Sequence, residues 1–198
     1  SLAPLLTAFL FRFGITYVET LLCAHFHRQT ILAGYFLLFD LWLCLTPSYM
    51  LYFASAMVML TERDENMAGY IAVTPVGKRG YVLSRLAIPA AVAFSFSLLI
   101  TYFFALTDWD FLMLTAVSLL MSLSSTAAAL FIFSFSRNRV EGMALAKMAS
   151  LLFLGLVVPF FIWSDVQYVA AFLPSFWIAK RSIEKNSMLV LPALAVSL

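Results

Sequence analysis

Five long apolar runs constrain this chain more than any other feature, because an α-helix needs about 20 apolar residues to cross a lipid bilayer. They cover about Leu2–Ala24, Ile31–Leu60, Tyr81–Leu106, Phe111–Phe135 and Met148–Trp163. Within them apolar residues follow one another without the in–out alternation of a membrane β-barrel strand. Continuous runs predict helices, which satisfy their own backbone hydrogen bonds where there is no water. Charge content agrees: 11% of the residues are charged, against about 25% in soluble domains. The expected fold class is all-α, a polytopic membrane protein forming one transmembrane domain over residues 1–198.

The polar interruptions carry the remaining information. Arg12 and Glu19 lie seven apart on one helical face, where either they pair or one marks the membrane edge. His25, His27 and Arg28 form the next break, and without a third ligand nearby they read as an interfacial loop rather than a metal site. Asp40 interrupts the second run. An acid inside the membrane is a functional candidate by default, but Asp40 lies near one end and is expected to snorkel to the interface. Pro89 predicts a kink in the third run. The stretch SLSSTAAAL in the fourth is rich in small residues, which let helices approach closely in lipid. Cys23 and Cys44 have no metal-type spacing and read as small buried side chains. The final run, Met188–Leu198, is too short to span. The expectation is therefore a truncated last span and a trimmed N-terminus.

Lys and Arg in short loops mark the cytoplasmic side. Residues 61–85 carry Arg63, Lys78, Arg79 and Arg85, and residues 137–147 carry Arg137, Arg139 and Lys147. The breaks at 107–110 and around Asp165 carry none. The first two are expected inside and the last two outside. Alternation then leaves the basic Lys180, Arg181 and Lys185 outside, against the rule. Either residues 164–187 form an external re-entrant hairpin, or they cross.

The segment Thr61–Arg85 concentrates seven charged residues between two apolar runs. Thr61 and Asp64 have capping-box spacing, and Glu62, Asp64 and Glu65 suit the first turn of a helix. A short helix over about Glu62–Val73 is expected, ended by Pro75. Gly77 and Gly80 flank Lys78 and Arg79 in what reads as a tight basic turn. Such a helix, joined rigidly to two spans, would be a lever; the plain alternative is a loop that fixes topology.

Glu62-Arg63, Gly69, Thr74-Pro75, Tyr81 and Arg85, in that order, resemble the segment after the second span of type-2 ABC exporter permeases. The similarity is greatest to the fluoroquinolone-export-permease-like branch. Asn138-Arg139-Val140-Glu141-Gly142 with Lys147, and Leu173-Pro174-Ser175-Phe176-Trp177, resemble two further elements of that branch. The resemblance spans about Asp40 to Trp177. It implies six transmembrane helices, a cytoplasmic coupling segment at 61–80 and an external re-entrant segment at 164–187, which places Lys180 and Arg181 outside. It further implies that Glu62, Arg63, Glu65, Gly69, Thr74, Pro75 and Arg85 couple to an ATP-binding subunit. Arg139, Glu141, Gly142 and Lys147 would support the cytoplasmic ends, and Glu141 is expected to ion-pair with Arg63 or Arg85.

The expected function is the transmembrane subunit of an ATP-driven exporter in the inner (plasma) membrane of a bacterium. The sequence contains no GxxxxGK[ST] phosphate loop, so ATP and Mg are expected on a separate ATP-binding subunit and no cofactor on this chain. The implied partners are that subunit, a second permease chain as homodimer or heterodimer, and the lipid bilayer. No basic stripe suggests nucleic acid. The pathway is expected at the dimer seam, lined by aromatic and methionine side chains. An intramembrane enzyme is disfavoured: Ser124 and Ser125 lie mid-span, both histidines sit in one distant break, and no GxSxG or HExxH occurs. Two alternatives stay open. One is a substrate-capturing component of an importer. The other is a stand-alone secondary transporter using Asp40 and Glu19 for protons, which leaves residues 61–75 unexplained.

Overall fold

Lipid tails are as apolar as leucine, so membrane helices associate through close packing and shared polar groups rather than the hydrophobic effect. Both devices converge here on one helix. The computed structural model describes residues 3–26, 32–65, 67, 77–162 and 164–184. Five helices are long and apolar enough to span: α1 (Ala3–Phe26), α2 (Phe36–Asp64), α3 (Gly77–Phe104, apolar from Leu83), α4 (Phe111–Phe135) and α5 (Arg139–Phe161). A shorter helix, α6 (Pro174–Glu184), follows a 3₁₀ segment at Asp165–Phe172. No strand occurs among the described residues. The final apolar run, and with it the expected sixth span, lies outside them.

The core is the mutual packing of α2, α3 and α4. Small side chains make it possible. Ser118, Ser122, Ser125, Ala128 and Ala129 of α4 are all buried, as the small-residue stretch leads one to expect. The seam is also polar. Ser97 Oγ donates to the Cys44 carbonyl at 2.8 Å, Ser48 and Ser97 hydroxyls meet at 3.1 Å, and Cys44 Sγ lies 3.6 Å from Ser118 Oγ. Such bonds are worth about 0.6 kcal/mol each on average in membrane bundles, so they set register as much as they stabilise. By contrast only 6% of the α1 window is buried, against 61% for α2. α1 therefore sits at the periphery.

The end of the core formed by residues 36–40 and 105–111 is organised by Asp40. This side chain is 1% exposed and does not snorkel, contrary to expectation. Its carboxylate accepts from the Leu106 amide (2.8 Å), the Thr107 amide (3.0 Å), the Trp109 indole (3.0 Å) and the Thr107 hydroxyl. The turn between α3 and α4 has no helical partners for these amides, and an orphan buried N–H is costly. Asp40 supplies the acceptors from within α2. Arg12 reaches the same turn, donating to the Ala105 carbonyl. It does not pair with Glu19. Residues Leu10–Ile15 form a π-helical segment, whose wider turn rotates the two charges off a common face.

α5 begins at Arg139, so most of the expected loop at 137–147 is helix. α5 tightens to 3₁₀ geometry at Leu151–Leu156, where α6 packs across it. Gly155 permits the crossing: a Cβ there would stand 2.5 Å from Ser175 Oγ and 3.0 Å from the Phe176 amide nitrogen. The Trp177 indole donates to the Ala171 carbonyl at 2.7 Å, holding α6 to the 3₁₀ segment before it. Lys180 and Arg181 are buried at 7% and 8% exposure. The Lys180 ammonium bonds the Tyr168 hydroxyl and lies 3.9 Å from that ring's centroid.

Asp40→Ala should lower the melting midpoint, because three N–H donors lose a charged acceptor; the expected cost is about 2–3 kcal/mol. Asp40→Asn, which keeps one acceptor oxygen, should fall between. Thermal unfolding followed by tryptophan fluorescence checks both, and a wild-type midpoint for Asp40→Ala would contradict the assignment.

Candidate functional site

The opposite end of the core gathers most of the charged residues singled out in the sequence. α2 does not stop at Leu60. Leu60 and Met59 are fully buried, so the helix continues to present a packed face through its last turn, and it ends at Asp64. Thr61 is thus not an N-cap: its hydroxyl donates to the Met57 carbonyl at 2.9 Å, and its own carbonyl accepts the Glu65 amide at 3.0 Å. Residues 61–64 close the second span rather than open a new helix. Likewise residues 77–80 are the first turn of α3, not a tight turn. The rest of the expected coupling helix, with Gly69, Thr74 and Pro75, lies outside the described residues.

Three consecutive side chains at the end of α2 make three different connections. Glu62 accepts from the Tyr81 hydroxyl and the Arg85 guanidinium of α3. Arg63 turns inward, donating to the Ser136 carbonyl at 2.7 Å with its guanidinium carbon 4.0 Å from the Phe133 ring centroid. Asp64 accepts the Arg139 amide at 3.1 Å. The chemistry follows helix polarity. Ser136 terminates α4, where exposed carbonyls carry partial negative charge and favour a cation. Arg139 opens α5, where free amides favour an anion. Arg63 and Asp64 therefore hold the two sides of the α4–α5 turn, and Glu62 holds α3.

The turn itself is capped locally. Asn138 Oδ1 accepts the Glu141 amide at 2.8 Å, and Glu141 Oε2 accepts the Arg137 amide at 2.7 Å. This capping arrangement occupies Glu141, so it does not pair with Arg63 or Arg85. Lys147 is exposed and lies farther along α5. Gly142 lets α5 lie directly on α2: a Cβ there would stand 2.2 Å from Leu60 Cδ1 and 3.3 Å from Met57 Cε.

The Glu62–Arg85 pair is half exposed on the arginine side, at 47% against 14% for Glu62. Screening limits such a pair to about 0–1 kcal/mol, so it positions α2 against α3 more than it stabilises them. Tyr81 completes the contact. Burial first, and then the hydrogen bond to Glu62, push its hydroxyl pKa up to about 12.

The structure thus brings together Glu62, Arg63, Arg85, Glu141, Gly142 and the Arg139 backbone. Glu65 is exposed beside them. Sequence reasoning missed the contact of Asp64 with the Arg139 amide, and the receptors Phe133 and Ser136. The Asn138-x-x-Glu141 spacing was a readable capping signal, whereas a side chain that reaches another helix's backbone leaves no local pattern.

A second feature lies between α2 and α5. A cavity of about 300 Å³ is walled by Trp42, Tyr49, Phe153 and leucines, with Thr46 and Ser150 as its polar groups. Tyr49 meets Tyr52 edge-on at 5.1 Å and Phe153 at 6.1 Å between centroids. Its walls are mostly aromatic and aliphatic, and no methionine is among its described lining residues. Ser124 and Ser125 spend their protons on the Leu120 and Ser122 carbonyls of their own helix.

The family model described as "Fluoroquinolones export permease protein Rv2686c-like" matches residues 1–198, the whole chain. No curated protein and no solved structure matches it.

Arg63→Ala should loosen the α4–α5 turn at a cost of about 1–3 kcal/mol, the usual value of a hydrogen bond to a charged group. Arg63→Lys should recover only part of it, since an ammonium cannot reproduce a planar fork over a ring. Melting midpoints of the two variants check this order. A pH dependence follows from Tyr81. An unfolded tyrosine ionises near 10, while Tyr81 keeps its proton to about 12. Its contribution is complete below pH 10 and is lost as pH rises towards 12. Stability should therefore fall more steeply over that window in the wild type than in Tyr81→Phe.

Proposed function

The chain belongs to this family of export permeases, and from that premise we propose that it is the transmembrane subunit of an ATP-driven type-2 ABC exporter. It works as a dimer with a second permease chain and takes its energy from a separate ATP-binding subunit in the inner membrane. The observation that carries the coupling role is the joined helix end. Glu62, Arg63 and Asp64 connect the last turn of α2 to α3, α4 and α5 at once.

In this reading the end bearing Asp64 faces the cytoplasm. Segment 65–76 docks on the ATP-binding subunit, with exposed Glu65 at its edge. Glu62, Arg63 and Arg85, which face the chain itself, serve as its internal linkage rather than as docking groups. Closure of the ATP-binding subunits pushes the segment, and the linked helix ends move as a rigid body between inward- and outward-facing states. Each contact contributes little energy, and the direction of motion is fixed because three neighbours are held by one turn. Residues 164–187 form the external cap, and the sixth span follows.

The cargo surface is the Trp42–Tyr49–Phe153 cavity, placed at the seam with the second chain. Its 300 Å³ lies at the lower end of the range for small-molecule sites. Aromatic walls with few polar groups suit a flat amphipathic compound, the class to which fluoroquinolones belong.

Glu65→Arg should cut ATP-dependent export about tenfold, equivalent to 1.4 kcal/mol of lost docking, while leaving the melting midpoint unchanged. Transport into inverted vesicles, with the ATP-binding subunit co-expressed, measures it. Export at the wild-type rate would remove the docking role. Export that persists without any ATP-binding partner would favour a secondary transporter instead.

A further inference from the structure

None of the described residues lining the cavity between α2 and α5 is charged. Its two small polar groups have spent their protons within their own helices. Thr46 Oγ1 donates to the Trp42 carbonyl at 2.9 Å, and Ser150 Oγ to the Lys147 carbonyl at 2.5 Å. Both hydroxyls keep only lone pairs for a ligand. The cavity can hold an aromatic body, but it gives an anionic group no counter-charge.

That charge lies one turn away. Ser150, Leu151 and Leu154 line the cavity, and they follow Lys147 by three, four and seven residues. This spacing puts the lysine on the same side of α5 as the lining residues. Lys147 is exposed, as are Leu151 and Leu154. The lysine is not at the tip of the bundle. α5 meets α2 at Gly142, against Met57 and Leu60, and again at Phe153, against Tyr49. Lys147 lies between these two crossings, about 12 Å along the helix from its start at Arg139. An ammonium on an apolar helix face is costly in lipid and marks a functional position by default. Its side chain makes no hydrogen bond or ion pair among the described residues. Helix side chains lean towards the N-terminus, which for α5 is the charged end of the bundle. The lysine thus stands at the lip of the cavity, on the side of that charged end. A bilayer orients an amphiphile in the same order, with its polar group towards water and its apolar body inward.

We propose that Lys147 is a specificity-determining residue of the cargo surface. Its ammonium receives a carboxylate, while the aromatic body of the same molecule lies against Trp42, Tyr49 and Phe153. The cargo class is then flat aromatic acids taken from the cytoplasmic leaflet. This rests on the reading of the cavity as the cargo surface and adds the charge that the surface selects. The sign follows from the lysine. The choice of an aromatic compound over a phospholipid follows from the ring faces, which gain most from stacking on another ring.

The test is equilibrium dialysis of naphthalene-2-carboxylate, and of its neutral primary amide, against the chain in phosphatidylcholine nanodiscs, with empty discs as the blank. The acid should bind about tenfold more tightly than the amide, as one charge-assisted hydrogen bond provides. Lys147→Gln should erase that difference, and Lys147→Arg should keep most of it. Trp42→Ala should weaken both ligands; an unchanged affinity for the acid would place it elsewhere and overturn the joined site. Equal affinities in the wild type, or a preference that survives Lys147→Gln, would overturn the role of Lys147 while leaving the cavity as the cargo surface. Binding of neither ligand would remove the cargo surface and this inference with it. The advantage of the wild type over Lys147→Gln should persist in discs containing phosphatidylglycerol. Its loss there would assign the lysine to lipid headgroups and overturn the proposal. No arm of the experiment uses ATP, so its outcome is separate from that of the coupling mechanism.

Discussion

α2 carries charged side chains near both of its ends, buried Asp40 at one and half-buried Arg63 with exposed Asp64 at the other, and each hydrogen-bonds the backbone of a neighbouring segment. At one end Asp40 gathers the amides of the α3–α4 turn. At the other, Arg63 takes the last carbonyl of α4 and Asp64 the first amide of α5. Buried Asp40 must find its partners inside the protein, as a membrane protein requires of polar groups away from water. Together these side chains tie one helix to three neighbours. The remaining architecture, including the serine–cysteine seam and the glycine crossings, packs around that arrangement.

This placement has a consequence for motion. A displacement at the end of α2 is shared with α3 through Glu62, with α4 through Arg63 and with α5 through Asp64. Individually these are weak or moderate contacts. Together they remove the independent freedom of four helix ends. Asp40 fixes the far end of α2 to the α3–α4 turn, so that end resists displacement. Movement must then be taken up between the two, and Pro89 lies in that interval on α3. Fixed ends with a compliant middle are what rigid-body gating of a bundle requires.

Much of this was legible in the sequence. The apolar runs located the helices because lipid leaves a spanning chain little other choice, and α4 matches its run residue for residue. The family was legible from three motifs in order, and the whole-chain match agrees. Roles within the charged end were less so. The resemblance implied a docking role for Arg63, whose guanidinium lies over Phe133, about seventy residues away in sequence. Thr61 and Asp64 had the spacing of a helix start, but the buried face of Met59 and Leu60 carried the preceding helix through them. Arg12 and Glu19 had the spacing of a pair, but a π segment between them changed the register. In each case a local pattern was overridden by tertiary contact or by non-ideal helix geometry, which a sequence window does not contain.

The central claim is that the joined helix end is worked from the cytoplasm by an ATP-binding subunit. Glu65 lies at its exposed edge, and the two native cysteines, Cys23 and Cys44, can be replaced to leave a single reporter thiol at Glu65→Cys. Thiol cross-linking from that position in intact membranes, with the ATP-binding subunit co-expressed, is the most direct measurement. The account predicts an adduct with that subunit whose yield changes on adding ATP, and no labelling of the thiol by a membrane-impermeant reagent applied to whole cells. Labelling from outside, or the absence of any adduct in an assembled complex, would contradict it.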